Sequence, residues 1–164
     1  MVSFGHTAVG VVIGVTAYHY LGQGNLAEGL LITGTVGVVS HYLMDAIPHG
    51  HFYLPKNYGI EIVPIIIFDL FLSIAIFLGI IYSKAGLGPI FFYTMFGIGG
   101  AQLPDVLEGL IHLKILKNKG LVKLENNLHN GLHWNSRNSE VLLLGSRDIW
   151  QLFVILAAIF LISF

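Results

Sequence analysis

Long apolar stretches with almost no charge are the feature that most limits the folds open to this chain. Five of them, at residues 4–21, 26–43, 60–82, 88–103 and 149–164, are apolar over most of their length. The third is the strongest and contains the run IIIFDLFLSIAIFLGII. A helix that crosses a bilayer needs about 20 mostly apolar residues. We therefore predict an all-α, polytopic membrane helix bundle of about five transmembrane helices, forming a single domain over residues 1–164.

Composition supports a membrane protein and excludes several classes of function. The chain is 55% hydrophobic and 10% charged, whereas soluble domains are roughly 25% charged. Its net charge of −1 argues against a nucleic-acid partner, because such proteins carry basic surfaces. Cysteine is absent, which excludes disulfides, thiolate metal sites and thiol nucleophiles.

The basic residues predict an orientation, because cytoplasmic loops of membrane proteins are enriched in lysine and arginine. With five spans, one basic residue, Lys84, falls on one side of the membrane. The other seven fall on the opposite side: Lys56, Lys114, Lys117, Lys119, Lys123, Arg137 and Arg147. We therefore place the N-terminus in the cytoplasm and the C-terminus outside, with a basic cytoplasmic loop at residues 113–147.

Histidine is unusually frequent, since the eight histidines equal the lysines and arginines combined. In the predicted topology seven of them lie at the cytoplasmic face: His6, His41, His49, His51, His112, His129 and His133. Asp45, Asp105 and Glu108 lie at the same depth. The topology was derived from lysine and arginine alone, so this convergence is a separate observation and indicates a polar site.

The segment SHYLMDAIPH contains the sharpest pattern. His41 and Asp45 are four residues apart, so a helix places them on one face. An imidazole and a carboxylate one turn apart suit a divalent ion such as zinc or manganese. Pro48 then turns the chain, which can bring His49 towards the same place. The alternative is a hydrogen-bonded pair that only ties helices together.

The segment LPDVLE, followed by His112, predicts a second cluster. Asp105, Glu108 and His112 share one helical face, and Pro104 suits the first turn of a helix. Two carboxylates side by side at membrane depth repel each other unless a cation or proton lies between them. The alternative is that Asp105 caps the helix while Glu108 and His112 face water.

The segment LHNGLHW carries His129 and His133 at the four-residue spacing of zinc-binding helices, although the glutamate of HExxH is missing. Gly131 and the nearby asparagines indicate a turn or an interrupted helix, and an ordinary interfacial loop is the alternative. Asp69 lies inside the third span, where a carboxylate costs about 2.5–3.5 kcal/mol on insertion scales. We expect it to face the bundle interior, either supporting a ligand histidine, bridging metal ions or staying protonated in a structural role.

Together these patterns predict one site for one or two divalent ions, with zinc favoured and manganese or iron left open. The expected metal ligands are His6, His41, Asp45, His49, Asp105 and His133. Glu108 is the expected general base and His129 the group that protonates the leaving group, with Asp69 and His112 in supporting positions. Two ions bridged by carboxylates are suited to phosphoester hydrolysis.

At these residues the chain resembles the bacterial membrane-bound metal-dependent hydrolases, the group that includes LexA-regulated inner-membrane hydrolases. The resemblance rests on short motifs: His6, Leu103-Pro104-Asp105, the pair His129 and His133, and Ser40-His41 with Asp45 and Pro48. The motif order is rearranged, since in the family the L-P-D and paired-histidine segments precede the S-H-x-x-x-D segment. The resemblance implies a metal-dependent hydrolase of a prokaryotic inner membrane.

The expected function is therefore a membrane-embedded metal-dependent hydrolase, in particular a phosphoesterase for a lipid or lipid-linked substrate at the cytoplasmic interface. Its expected partners are the lipid bilayer and an amphiphilic substrate, and the oligomeric state stays open. Two alternatives remain. One is a divalent-metal transporter or sensor, and the other is a structural membrane protein with a histidine–carboxylate network.

Overall fold

The computed structural model describes residues 3–47, 63–132 and 149–163. These residues form six α-helices and contain no β-strand, which confirms the all-helical prediction. The helices are α1 (Ser3–Leu21), α2 (Leu26–Asp45), α3 (Val63–Ala85), α4 (Pro89–His112), α5 (Gly120–Leu132) and α6 (Ile149–Ser163).

Local sequence signals explain where several helices begin and end. The Asn25 side chain accepts hydrogen bonds from the backbone N–H groups of Ala27 and Glu28, and so caps the start of α2. A glycine with positive φ, Gly86, turns the chain after α3, and Pro89 occupies the first position of α4. Pro104 lies inside α4 rather than in a first turn. The apolar sequence on both sides of it continues the helix.

Helix α4 is the centre of the bundle, because it packs between α1 and α2 and also contacts α3 and α5. The approach is close enough to require glycine. A Cβ atom on Gly10 of α1 would lie 2.6 Å from the Ile98 Cα atom, and one on Gly37 of α2 would lie 2.7 Å from the Gly97 carbonyl oxygen. Small residues of this kind let helix backbones pack against each other without a hydrophobic driving force.

The apolar core lies between α1, α3, α4 and α6. Its buried members are Ala8, Val11, Val15, Phe77, Ile81, Ile98, Ala158 and Ile162. A series of side-chain hydrogen bonds crosses this core. The Gln102 amide donates to the Thr7 hydroxyl at 2.7 Å, and the Thr7 hydroxyl lies 2.9 Å from the Ser73 hydroxyl. Such interhelical hydrogen bonds join α1, α3 and α4 through buried side chains.

Large apolar side chains also cover the outside of the helices, among them Leu31, Leu43, Phe68, Phe71, Phe153 and Phe160. Within the described ranges, two segments are long and apolar enough to cross a membrane, Leu26–Asp45 and Ile67–Ala85. These features are compatible with membrane association. The other three spans and the orientation stay predictions.

Helix α5 lies within residues 113–147, for which the sequence predicts a basic loop. Its leucines, Leu121, Leu124, Leu128 and Leu132, recur at helical spacing on the exposed side, whereas Glu125 and His129 face the bundle. The asparagines and Gly131 indicate a turn or an interrupted helix, because such residues favour turns when no tertiary contact opposes them. The structure instead has a continuous amphipathic helix here.

We expect Gly37→Ala to destabilise the protein, because the new methyl group would meet α4 backbone. Overpacking of this kind costs about 1–3 kcal/mol, which lowers the melting temperature in detergent by about 4–8 °C for a loss near 2 kcal/mol. Gly99→Ala is the matched control, since a Cβ at Gly99 would meet no atom within 4 Å. Equal melting temperatures for the two variants would contradict the packing described.

Candidate metal centre

The last turn of α2 supplies the first pair of ligating side chains. His41 and Asp45 are both buried, and His41 Nε2 lies 3.0 Å from Asp45 Oδ2. The spacing of four residues brings them onto one helical face, as the sequence predicted. Gly37 precedes His41 by one turn, so the close packing of α2 on α4 holds this end of α2 in place.

The backbone of α4 orients the His41 ring. His41 Nδ1 lies 2.7 Å from the Ala101 carbonyl oxygen. A carbonyl can only accept, so Nδ1 carries the hydrogen and donates it. In the neutral ring Nε2 therefore holds a lone pair directed at Asp45. A ligating histidine typically has this arrangement, with its second nitrogen bound to a carbonyl or carboxylate.

Helix α4 adds Asp105 one turn after Ala101. Its Oδ1 atom lies 3.6 Å from His41 Nε2 and 3.7 Å from His129 Nε2. Unlike its buried neighbours, the Asp105 side chain is 34% exposed. The carboxylate therefore stands at an edge of the cluster that solvent can reach.

Helix α5 adds His129, which is buried against the ends of α2 and α4. Its Nε2 atom lies 3.1 Å from Asp45 Oδ2 and 3.4 Å from His41 Nε2. The two rings are nearly perpendicular, at 80°. Two imidazole nitrogens and one carboxylate oxygen thus meet at one point, where like lone pairs repel unless a proton or a cation lies between them.

Carboxylates also surround the other nitrogen of His129. Glu108 Oε2 lies 3.7 Å and Glu125 Oε1 4.0 Å from His129 Nδ1. The Tyr42 hydroxyl donates to Glu125 Oε1 at 3.2 Å, which ties α5 to α2. A carboxylate behind a histidine favours the tautomer whose far nitrogen can bind a metal and raises its basicity.

The electrostatic surroundings favour positive charge at this position. Burial by itself lowers the pKa of His129, but the hydrogen bond to Asp45 and the charges of Glu108 and Asp105 outweigh it and raise the pKa. Burial raises the pKa of Glu125, and the charge of Glu108 adds to this effect, while His129 and Tyr42 oppose it. A cation at the cluster would take the place of a proton in the same field.

His41, Asp45, Asp105 and His129 form a group that could hold a metal ion, because one ligand atom from each lies within 4.8 Å of the others. Two imidazoles and two carboxylates suit zinc, and manganese or iron would also accept them. His6 of α1 adjoins this group, and its Nε2 lies 3.2 Å from Asp45 Oδ1. Four helices, α1, α2, α4 and α5, therefore meet here.

The structure describes only some of the other predicted site residues. His49 and His133 lie outside the described residues. His112 ends α4, and its side chain is likewise outside the described part. Asp69 is half-buried on α3, and its supporting role stays a prediction. Glu108 borders the cluster, and His129, expected to act on the leaving group, lies among the candidate ligands.

Sequence reasoning missed Glu125, Tyr42 and the Ala101 carbonyl. Glu125 precedes His129 by four residues, so a helical interpretation of residues 120–132 would have put both on one face. The contacts of Tyr42 and Ala101 carry no local signal, because each partner lies at least 60 residues away in the sequence.

Comparison of the chain with protein-family models, with curated proteins and with solved structures finds no match. The resemblance to membrane-bound hydrolases therefore rests on the short motifs, and function has to be argued from the site.

We expect zinc to stabilise the purified protein through this cluster. A ligand that binds only the folded state adds about 2.7 kcal/mol at 100 times its Kd. His129→Ala should remove most of the zinc-dependent rise in melting temperature, whereas His19→Ala, an exposed histidine at the other end of α1, should keep it. The same zinc response in wild type and His129→Ala would contradict the site.

We expect Glu125→Gln to weaken zinc binding without removing it. The amide oxygen can still accept from Tyr42, but the negative charge near His129 Nδ1 is lost. Changes in groups that support a ligand typically cost 10–100-fold in metal affinity, and we expect about 10-fold here. Competition with a zinc-sensitive dye measures it, with Glu28→Gln at the exposed start of α2 as control. An unchanged affinity would show that Glu125 does not support His129.

Proposed function

We propose that this protein is a membrane-embedded metal-dependent hydrolase that cleaves a phosphoester bond in a lipid or lipid-linked substrate. The observation that carries the proposal is the convergence of His41 Nε2, His129 Nε2 and the carboxylates of Asp45 and Asp105 within 4.8 Å. Histidine and carboxylate ligands of this kind occur in catalytic zinc sites, where a position left for water or substrate completes the coordination.

Uneven exposure around the cluster supports a catalytic rather than a closed structural centre. His41, Asp45 and His129 are at most 1% exposed, whereas Asp105 is 34% and Glu108 29% exposed. The cluster is thus sealed on the side of α1 and α2 and open beside Asp105 and Glu108. A substrate oxygen and the attacking water can approach from that open edge.

The chemistry follows from the positions of the protein groups. A divalent ion supplies Lewis acidity to a phosphoryl oxygen and lowers the pKa of water. Glu108 borders the open edge and can accept the proton of the water that attacks phosphorus. The P–O bond to the leaving group then breaks, and the departing oxygen takes up the proton that Glu108 accepted from the water. The geometry favours His129 as a ligand, because its Nε2 faces Asp45 and Asp105.

The exposed surface of helix α5 supports the proposal that the substrate is amphiphilic. Leu121 is 83% and Leu124 65% exposed, and Leu128 and Leu132 continue the same exposed stripe. Exposed lysines precede and accompany it, at Lys114, Lys117, Lys119 and Lys123. Such a helix suits the membrane interface, with leucines among acyl chains and lysines near anionic headgroups. The adjoining, buried face of α5 carries His129, so a lipid headgroup at this level would lie near the centre.

The burial of three ligands also favours a second candidate, a metal sensor. In a sensor the bound ion would hold α5 against the bundle through His129, with no reaction. A transporter fits less well, because the described ligands gather at one end of α2 and α4 rather than near mid-helix.

We expect zinc- or manganese-loaded protein in mixed micelles to hydrolyse a phosphoester. Suitable probes are bis(p-nitrophenyl) phosphate, p-nitrophenyl phosphate and phosphatidate. A chelator should abolish the activity and added metal should restore it. At saturating zinc, Glu108→Gln should lower the rate about 10²–10⁴-fold, the usual contribution of a general base. Saturation is needed because the same change removes a negative charge near His129 Nδ1. Glu28→Gln should leave the rate unchanged. Bound metal with no hydrolysis of any probe would favour the sensor.

A further inference from the structure

His6 is a buried imidazole that the four-residue metal group does not include. Its side chain is 1% exposed, and neither ring nitrogen makes a hydrogen bond of good geometry with any described residue. Leaving a buried polar group without a hydrogen bond costs about 1–3 kcal/mol. A lone pair on His6 Nε2 that bound a cation would account for this position.

The two aspartates divide their oxygens between His6 and the other histidines. Asp45 Oδ1 lies 3.2 Å from His6 Nε2, while its Oδ2 lies 3.0 Å from His41 Nε2. Asp105 repeats the pattern, with Oδ2 4.0 Å from His6 Nε2 and Oδ1 3.6 Å from His41 Nε2. Each carboxylate therefore offers one oxygen to each of two neighbouring positions, which is how carboxylates bridge a pair of ions.

The orientations of the histidine rings also indicate two neighbouring positions for ions. His41 and His129 are nearly perpendicular, and their Nε2 atoms are 3.4 Å apart, so they point at a common position. His6 and His41 instead stack almost parallel, with ring centroids 4.1 Å apart and an angle of 20°. Because the Nε2 atoms of these stacked rings approach different oxygens of Asp45, they face adjacent positions, and two-metal sites hold their ions about 3.5–4 Å apart.

The charge of the cluster also favours two ions. Asp45 and Asp105 lie inside it, and Glu108 and Glu125 lie against His129. With all four carboxylates ionised and the imidazoles neutral, one divalent ion leaves a net negative charge among largely buried groups. Uncompensated buried charge is strongly unfavourable. A second divalent ion balances it.

We infer that the protein binds a second divalent cation beside the first, held by His6 Nε2, Asp45 Oδ1 and Asp105 Oδ2. The two aspartates bridge this ion to the one held by His41 and His129. This inference rests on the proposed metal centre and deepens it. In a phosphoesterase, a pair of ions can stabilise the attacking and the leaving oxygen together, which a single ion does less well.

The test is the amount and coupling of manganese bound by the full chain in detergent. Wild-type protein should bind two Mn²⁺ ions per chain, measured by elemental analysis after removal of free metal. The electron paramagnetic resonance spectrum should show an exchange-coupled pair rather than the hyperfine pattern of isolated Mn²⁺. His6→Gln should bind one ion per chain and show the isolated pattern.

Two controls separate loss of a ligand from loss of the fold. Thr7→Ser changes the buried residue next to His6 and should keep the coupled pair. His19→Gln removes an exposed imidazole from the same helix and should keep it too. Should His6→Gln fail to fold, the wild-type stoichiometry and coupling decide the question alone.

The outcomes distinguish this inference from the proposed function. One ion per chain in the wild type, two uncoupled ions, or a coupled pair that persists in His6→Gln would overturn the second site and leave a single-ion hydrolase possible. No bound metal at all would overturn both. A coupled pair without hydrolysis of any phosphoester probe would uphold the second site and overturn the hydrolase.

Discussion

Close backbone packing of α4 against α1 and α2 is the constraint on which the rest of the structure depends. It requires glycine where the helices meet, at Gly10 and Gly37, because any side chain there would meet α4 backbone. Since α1, α2 and α4 are held side by side, His6, His41 and Asp105 reach the same end of the bundle. The Ala101 carbonyl comes within hydrogen-bonding distance of His41 for the same reason.

Burying the polar cluster at that end costs free energy unless neighbouring groups compensate its charges and lone pairs. Asp45 is buried and stands within 3.2 Å of a nitrogen of each of three histidines. Protons can satisfy part of this arrangement, as the raised pKa of His129 indicates. Divalent ions satisfy it more completely, because they accept imidazole and carboxylate ligands together. A metal ion bound at the cluster would therefore link the stability of this end of the bundle to metal.

Helix α5 connects the cluster to the surface of the molecule. One face carries His129 and Glu125 into the site, and the adjoining face exposes leucines. Its main described contacts with the bundle are with α2 and α4, and His129, Glu125 and the Tyr42 hydroxyl contribute to its attachment. A helix of this kind at a membrane interface would bring lipid headgroups to the level of the metal ligands, which is the physical basis of the proposed substrate class.

The sequence by itself determined the helical class, the apolar outer surface and the types of ligand available. These follow from composition and from spacing within one helix, as with His41 and Asp45, and both can be read locally. The predicted membrane topology already grouped Asp45 and Asp105 in one site. Only the tertiary structure decided that His129 lies among the candidate ligands, that residues 120–132 form a helix, and which carboxylate oxygen faces which histidine. His41 and His129 are 88 residues apart, so their meeting depends on how helices pack, and no local pattern encodes it.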